Sequence, residues 1–522
     1  MDLRPSTEPV PLTRLASITS ASVSEPAALA PLAVRGITVD SRRVLQGDLF
    51  AALPGERAHG ADFSQQAARG GAIAALTDLT GRAAAEAAGL ATLVIADPRA
   101  AVGLVAAEIY GHPADHLLLM GVTGTNGKTT TTWLLEAGLR SAGHRTGLVG
   151  TVETQIAGQP VASVRTTPEA PELHALLAVM RERGVTAVAI EVSSHALTLG
   201  RVDGCVFDVV GFTQLGNDHL DFHPSVEEYF KAKSRLFTPS HAKRGVACTD
   251  SSGGKRILVE SEIPTVSLAT LGGIADWQVA EISLTGKGGY DFRVSGPDGF
   301  DATTRVRLPG RFNVANAALA IAMLHEAGVP DAPAVRGVEQ CTGVPGRMDA
   351  VDEGQGFLAL VDYAHTPDAL AAVLASLRPE ATGQVIVVVG CGGDRDATKR
   401  PLMGRVGATF ADLLIVTDDN PRSEDPASIR SAMVAGAEAV EVTARARVVE
   451  IAGRAEAIRL AIASATTGDV VLVAGKGHET GQEMAGQVHP FDDRAVLVDT
   501  LRSRRRSLAG AEPRSATPED QL

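Results

Sequence analysis

The chain is poor in cysteine: Cys205, Cys248, Cys341 and Cys391 are the four in 522 residues, and none falls in a C-x-x-C spacing. That excludes a disulfide framework, gives no zinc signature, and leaves reduced thiols in the cytoplasm as the expectation. Long apolar runs are lacking too: none reaches 18 residues, and the opening MDLRPSTEPVPL has no apolar signal core. A soluble, cytoplasmic protein without membrane insertion is expected. Nor is there an excess of basic charge, since 48 Lys and Arg against 61 Asp and Glu leave a net charge of −13. Such a surface does not suit contact with a phosphate backbone, so nucleic acid is not an expected partner.

What is present is apolar mass, 45% hydrophobic residues with only 21% charged. At about 150 residues per core, 522 residues predict three domains. One stretch organises them: GVTGTNGKTTTTWL, from Gly121 to Leu134, preceded by the apolar LLLM. It reads as a buried strand, a glycine-rich turn and a helix, a cradle in which backbone N–H groups and a helix N-terminus face one anion. Lys128 adds positive charge and the Thr129 hydroxyl suits Mg²⁺. A strict G-x4-G-K-[ST] motif would place glycine at 122, where Val122 stands; here the glycine is Gly121.

In chain order, residues 1–25 are rich in Pro, Ser and Thr and predict a loose leader to a first unit ending near 113. Two short strands around a turn, then helices at 61–70 and 82–88, make that unit a small α/β domain. The triplet Asp40, Ser41, Arg42 ends its first strand and reads equally as a ligand site or as a turn with an Asx cap. The second unit, 114–344, alternates strands (146–149, 187–192, 206–213) with helices (170–183, 226–237). The third, 345–522, repeats the alternation with strands at 385–389, 413–416 and 470–473 and closes in a disordered tail from 503. This is an α/β chain of mostly parallel sheets, with ligands expected at the carboxyl ends of the strands.

Polar clusters fall at those ends. Glu191 closes the run AVAI, and Asp218, His219 and Asp221 follow VVGFT. Thr129 and Glu191 suit Mg²⁺, His219 is either a nitrogen ligand or structural, and Lys233, between Lys231 and Arg235, reads by composition as a surface lysine. In the third unit GCGGDRD, TDDNPR and AGKGHE each follow a strand and bring Arg395, Arg422 and Glu479 to one rim. Two arginines and a carboxylate describe a pocket for a zwitterion or dicarboxylate, or else a structural ion-pair network.

With these motifs stand TTP, EVSSHAL, FTQLGNDHLDFH, EEYFKAKSRLF, LPGRFNVANAALA, GVPGRMD and DYAHTPDAL, and together, in this order from Val34 to Leu501, they closely resemble the Mur ligases. The specific likeness is to the member that adds the third residue of the peptidoglycan stem peptide. The resemblance implies a three-domain architecture, with a uridine-nucleotide unit, a P-loop central domain and a Rossmann-like C-terminal domain. It implies an ATP- and Mg²⁺-dependent amide ligase, monomeric and acting on small molecules. Such an enzyme phosphorylates the γ-carboxyl of D-Glu in UDP-N-acetylmuramoyl-L-alanyl-D-glutamate, and a diamino acid attacks the acyl phosphate. Positioning and charge neutralisation carry that chemistry, and domains must close to exclude water.

By matched position, the resemblance implies ATP contacts from Gly124, Thr125, Asn126, Gly127, Lys128, Thr129 and Thr130, from Asn316 beside adenine, from Arg347 at the γ-phosphate, and from Asp362 and His365. One Mg²⁺ faces Thr129 and Glu191, a second His219 and Lys233, the last as a carbamate. Ser41 with Glu56, Arg57 and Ala58 matches the uridine site, and Thr166, Thr167, Ser193 and Arg201 the muramoyl-dipeptide site. Leu199 departs from the pattern, standing where some relatives have glutamine. Arg395, Asp419, Asn420, Pro421, Arg422, Gly475 and Glu479 match a meso-diaminopimelate pocket, and Arg422 can pair with the second carboxylate that lysine lacks. Lysine, ornithine or diaminobutyrate as the amine is the neighbouring reading. Folylpolyglutamate synthetases share the ATP core but need neither the first unit nor DNPR, and a non-catalytic P-loop switch leaves the third rim unexplained.

Overall fold

The computed structural model describes residues 4–23, 29–162, 165–216, 218–219, 222–285 and 288–511. Three main sheets follow one another along the chain, beside two two-stranded ribbons. The first has four parallel strands in sequence order, Gly36–Thr38, Asp48–Ala51, Ala74–Thr77 and Ala91–Val94. Helix Pro98–Ile109 starts on the Asp97 carboxylate, which accepts from Ala100 N at 3.1 Å. The expected leader is instead partly built into this unit: Val10–Pro11 pairs with Ala33–Val34, and helix Leu12–Thr19 buries Leu12 and Leu15 completely. Two leucines three apart give even a short helix a face to bury, and Arg4 pairs with the buried Asp48.

The second sheet has eleven strands. Its parallel centre runs Thr146–Val149, Ala187–Glu191, Leu118–Thr123, Phe207–Phe212, Ala242–Cys248 and Thr265–Ala269. Strand Leu118–Thr123 enters first and lies in the middle, so the chain leaves it to one side and later returns to the other. That reversal is where an open α/β sheet leaves a crevice beyond its strand ends. The alternation of strand and helix breaks at the far edge, where Trp277–Leu284, Tyr290–Ser295 and Asp301–Val306 form antiparallel hairpins. Helix Phe312–Glu326 is apolar nearly all round, and eleven of its residues are buried where it packs on helix Lys128–Ser141, on strands Phe207–Phe212 and Ala242–Cys248 and on the hairpins.

In the third sheet the order is Asp349–Ala350, Leu358–Asp362, Val470–Ala474, Val385–Val389, Leu413–Val416, Arg447–Glu450, parallel but for the first pair. Val385–Val389 and Val470–Ala474 are buried throughout, as near-continuous apolar strands covered on both faces should be. The tail expected from 503 instead prolongs helix Asp493–Ala511. Arg504 is the reason: its guanidinium lies 5.3 Å from the Phe357 ring and donates to Ala465 O at 2.8 Å. Residues 512–522 lie outside the described residues.

Candidate active site

The cradle connects strand Leu118–Thr123 to helix Lys128–Ser141. Gly127 holds the helix N-cap at φ 90°, and a Cβ there would stand 2.4 Å from Asn316 Oδ1; one on Gly124, at φ 143°, would stand 1.8 Å from Thr213 Oγ1. Both the left-handed backbone and the crowding demand glycine. Val122, where the strict motif has glycine, is a fully buried strand residue paired with Glu191, so the turn starts beyond it. Lys128 Nζ curls back onto the loop, donating to Gly124 O at 2.9 Å and Thr125 O at 2.8 Å. Burial pulls its pKa below the usual lysine value, against the attraction of Glu191 and Asp218.

Register places the magnesium candidates. Glu191 ends the strand beside the cradle strand, opposite Val122, and is 1% exposed. Its carboxylate accepts from Thr129 Oγ1 at 3.1 Å, Thr151 Oγ1 at 2.9 Å and Thr151 N at 2.8 Å. A hydroxyl and a carboxylate on hard oxygens, one strand apart at the anion cradle, fit a Mg²⁺ that keeps water and phosphate as its other ligands. Among the described residues no group of three His, Cys, Asp or Glu side chains converges on one point. His219, at φ 54°, stands edge-on to His195 with ring centres 4.7 Å apart, and its ring lies 6.2 Å from that of Tyr229. Asp221, grouped with it in the sequence, lies outside the described residues.

Lys233 is not on the surface. It is 1% exposed, donates to Gly124 O at 2.8 Å and sits 4.3 Å from the Tyr229 ring centre. Burial first, and the neighbouring Lys128 second, hold its pKa well below that of an ordinary lysine. Helix Val226–Ser234 explains the misreading, since it turns Tyr229, Phe230 and Lys233 inward while Lys231 faces solvent.

The residues expected on the nucleotide side come from both the second and third units. Asn316 accepts from Thr131 Oγ1 at 3.5 Å and donates to Asn313 Oδ1 at 2.9 Å. Arg347 lies 4.2 Å over the Tyr363 ring. Asp362 is buried and accepts from Met348 N and Ala364 N at 2.8 Å each; burial raises its pKa although Arg347 opposes. His365 Nδ1 meets Tyr363 O at 2.9 Å, and burial lowers its pKa, with Lys399 adding to the effect. These side chains and Thr125, Asn126 and Thr130 line one cleft of about 820 Å³.

Thr166 Oγ1 lies 3.0 Å from Thr151 Oγ1, and Thr167 Oγ1 donates to Glu191 O at 2.7 Å and accepts from Ser193 N at 3.2 Å. Arg201 Nη1 donates to Thr167 O at 3.4 Å, and its Nε pairs with Glu169 at 2.9 Å. Leu199 caps the short helix Ser194–Thr198, two residues before Arg201. Ser41, whose Oγ donates to Gln66 Oε1 at 2.9 Å, and the exposed Glu56, Arg57 and Ala58 do not line this cleft.

The third rim is a separate group. Asn420 Nδ2 donates to Glu479 Oε2 at 2.9 Å; Arg422, at φ 53°, reaches Gly393 O at 2.7 Å and Glu483 Oε2 at 3.1 Å. Arg395 is exposed, and it and Arg422 flank Gly392, where a Cβ would be 4.0 Å and 2.9 Å from them. Gly475 N donates to Asp362 O at 3.1 Å, Pro421 is buried, and Asp419 O accepts from Gln482 Nε2 at 2.7 Å. The sequence reading missed Lys476, fully buried between Asn420 Oδ1 at 3.0 Å and Glu479 Oε2 at 3.1 Å. Its signal was the charged residue directly after a buried strand and glycine. Thr151, Tyr229 and Tyr363 carried no such signal.

Three family models cover most of the chain: "Mur ligase family, catalytic domain" at residues 33–110, "Mur ligase middle domain" at 122–324 and "Mur ligase, glutamate ligase domain" at 346–477. A UDP-N-acetylmuramoyl-L-alanyl-D-glutamate–2,6-diaminopimelate ligase of Streptomyces coelicolor is 52% identical over 470 residues, 90% of this chain and 92% of its own. The same-named ligase of Corynebacterium glutamicum is 48% identical over 485 residues, 90% and 93% of the two chains. A solved structure of a ligase of that name superposes with a TM-score of 0.66 at 30% identity, covering 94% of this chain and 99% of the other. Cradle, sheet order and relatives agree: the chain belongs to the Mur ligase family.

Proposed function

We propose that this ligase joins meso-diaminopimelate to the D-Glu γ-carboxyl of UDP-N-acetylmuramoyl-L-alanyl-D-glutamate, with ATP, in the cytoplasm and as a monomer. The units 1–113, 114–344 and 345–522 divide the work of holding the uridine nucleotide, the ATP and the amino acid. One observation carries the reading: a phosphate cradle with Thr129 and Glu191 in contact shares its cleft with Arg347, Asp362 and His365 of the unit that bears the Asn420, Arg422, Lys476 and Glu479 rim. The names borne by relatives at 52% and 48% identity support the choice of amino acid.

In this reading Lys128 leaves the Gly124 and Thr125 carbonyls for phosphate oxygens, and Arg347, braced on Tyr363, neutralises charge gathering on the transferred group. Mg²⁺ held by Thr129 and Glu191 would supply further neutralisation, with His219 and Lys233 beside a second ion. Thr166, Thr167, Ser193 and Arg201 orient the dipeptide carboxyl, Ser41 and residues 56–58 hold the uridine end, and Arg422 with Arg395 receives the distal carboxylate of the amine. The test is ATP-dependent product formation with diaminopimelate, lysine, ornithine and diaminobutyrate in parallel. Diaminopimelate should lead by about 10- to 100-fold, the worth of one charge-assisted pairing of the half-buried Arg422 with a second carboxylate that the other amines lack. A faster reaction with lysine would refute this use of Arg422. ADP release that needs neither precursor nor amine would instead indicate a switch.

A further inference from the structure

His478 stands where the two halves of the reaction meet, yet none of the roles above uses it. Its loop, 475–480, carries Lys476 and Glu479 of the amine rim. The loop is seated on the turn before Arg347, since a Cβ on Gly346 would stand 2.2 Å from His478 N. Its ring lies 5.5 Å from that of Tyr363, the same ring that braces Arg347 at 4.2 Å. From the second unit the backbone of Thr151 faces the imidazole, and the Thr151 hydroxyl touches both Glu191 and Thr166. His478 Nδ1 is buried without a hydrogen-bond partner. The ring therefore joins the rim that presents an amine to the wall of the cleft that activates an acid.

We propose that His478 is the base that takes a proton from the incoming ammonium group. This rests on the ligase reading above. A diamino acid arrives protonated and has no lone pair for attack. With that proton on the imidazole, the free amine attacks the acyl phosphate; the C–N bond forms, the acyl C–O bond breaks, and phosphate leaves with the electron pair and the second proton lost by nitrogen. The imidazolium then returns its proton to solvent. The charged and titratable groups facing the ring are Arg347, Glu479 and Tyr363. Burial and then Arg347 hold its pKa below the ordinary histidine value, against Glu479, so the ring is neutral and ready to accept at neutral pH.

The experiment compares diaminopimelate with hydroxylamine, an amine already unprotonated at neutral pH, as acceptors of the acyl group, in the native enzyme and in His478→Gln. Native amide formation is the entry condition, so failure of the ligase reading would show in the native enzyme and failure of the base only in the comparison. Amide formation by His478→Gln should fall by about 100-fold or more, while hydroxamate formation and melting temperature stay near native. Equal loss with both acceptors, or amide formation within about threefold of native, overturns the proposal. The native enzyme supplies a reading independent of the variant's folding: its kcat should carry an acid limb with diaminopimelate that is missing with hydroxylamine. Identical limbs would also overturn it.

Discussion

Lys233 shows how one residue's environment sets its chemistry. An ammonium group buried beside a second ammonium is costly, and the protein answers by lowering its pKa, so the amine is neutral over a pH range where surface lysines are charged. A neutral amine is the form that adds CO₂, and under the proposed function that addition would turn the Lys233 amine beside the cradle into an anion. Lys233→Ala should lose about 100-fold or more in kcat, and a short carboxylic acid should restore part of it. Full activity of the untreated variant would rule out the carbamate. The clue in the sequence was periodicity: Tyr229, Phe230, Lys233, Leu236 and Phe237 mark one buried stripe, while composition pointed to Lys231 and Arg235.

His174 is the corresponding case for stability. It is completely buried in helix Ala170–Glu182, with Nε2 3.0 Å from Asp203 O, and burial pushes its pKa from 6.5 down to about 4. The folded state therefore binds fewer protons than the unfolded state between those values, and stability falls as pH drops from 6.5 towards 4. The loss should reach about 3 kcal/mol at most. His174→Gln, compared with the native enzyme by thermal melting from pH 7 to 5, should show the shallower fall. Parallel curves would mean that this histidine does not titrate as its burial implies.

Among the elements, the hairpins between Trp277 and Val306 were the part of the second unit that an expected strand and helix alternation hid. They were legible: YDFRVS alternates apolar and polar residues, its burial alternates with it, and GPDG is a turn sequence. What no local pattern could give is their contact with the third unit. Tyr290 donates to Glu380 Oε1 at 2.7 Å, and Gly310 N donates to the same oxygen at 3.1 Å, while Glu380 Oε2 is buried without a partner. Burial raises the Glu380 pKa. Glu380 thus fixes the turn that starts helix Phe312–Glu326, the helix that carries Asn316 to the cradle. Tyr290→Phe should raise KM for ATP about fivefold, the worth of one hydrogen bond of about 1 kcal/mol, with kcat changing less. An unchanged KM would show that the turn holds without Glu380.

At the scale of the whole molecule the apolar cores divide unevenly. One cluster joins Leu12, Leu49, Leu93 and Val105 of the first unit to Ala170 and Ala178 on helix Ala170–Glu182 of the second. Arg43 pairs with Glu172 on that helix, and Ser6 N donates to Glu182 at 2.7 Å. The third unit keeps its own two clusters, which span Met348 to Leu501 and include no residue of the others. It meets the second unit through Glu380 and across the cleft, and among the described residues no buried apolar cluster spans that boundary. The sequence displayed three units as three runs of strands and helices, but not this asymmetry, because the alanines that join the first two are small and unremarkable in a chain rich in alanine. Calorimetry of the enzyme without ligand should therefore resolve two transitions, one for the first two units together and one for the third. Because the cleft is lined from both sides, by Lys128 and Asn316 and by Asp362 and His365, ATP with Mg²⁺ should draw the transitions together. At about 100 times Kd the added stability is about 2.7 kcal/mol. A single transition without nucleotide, or one that nucleotide splits, would place the mechanical boundary elsewhere.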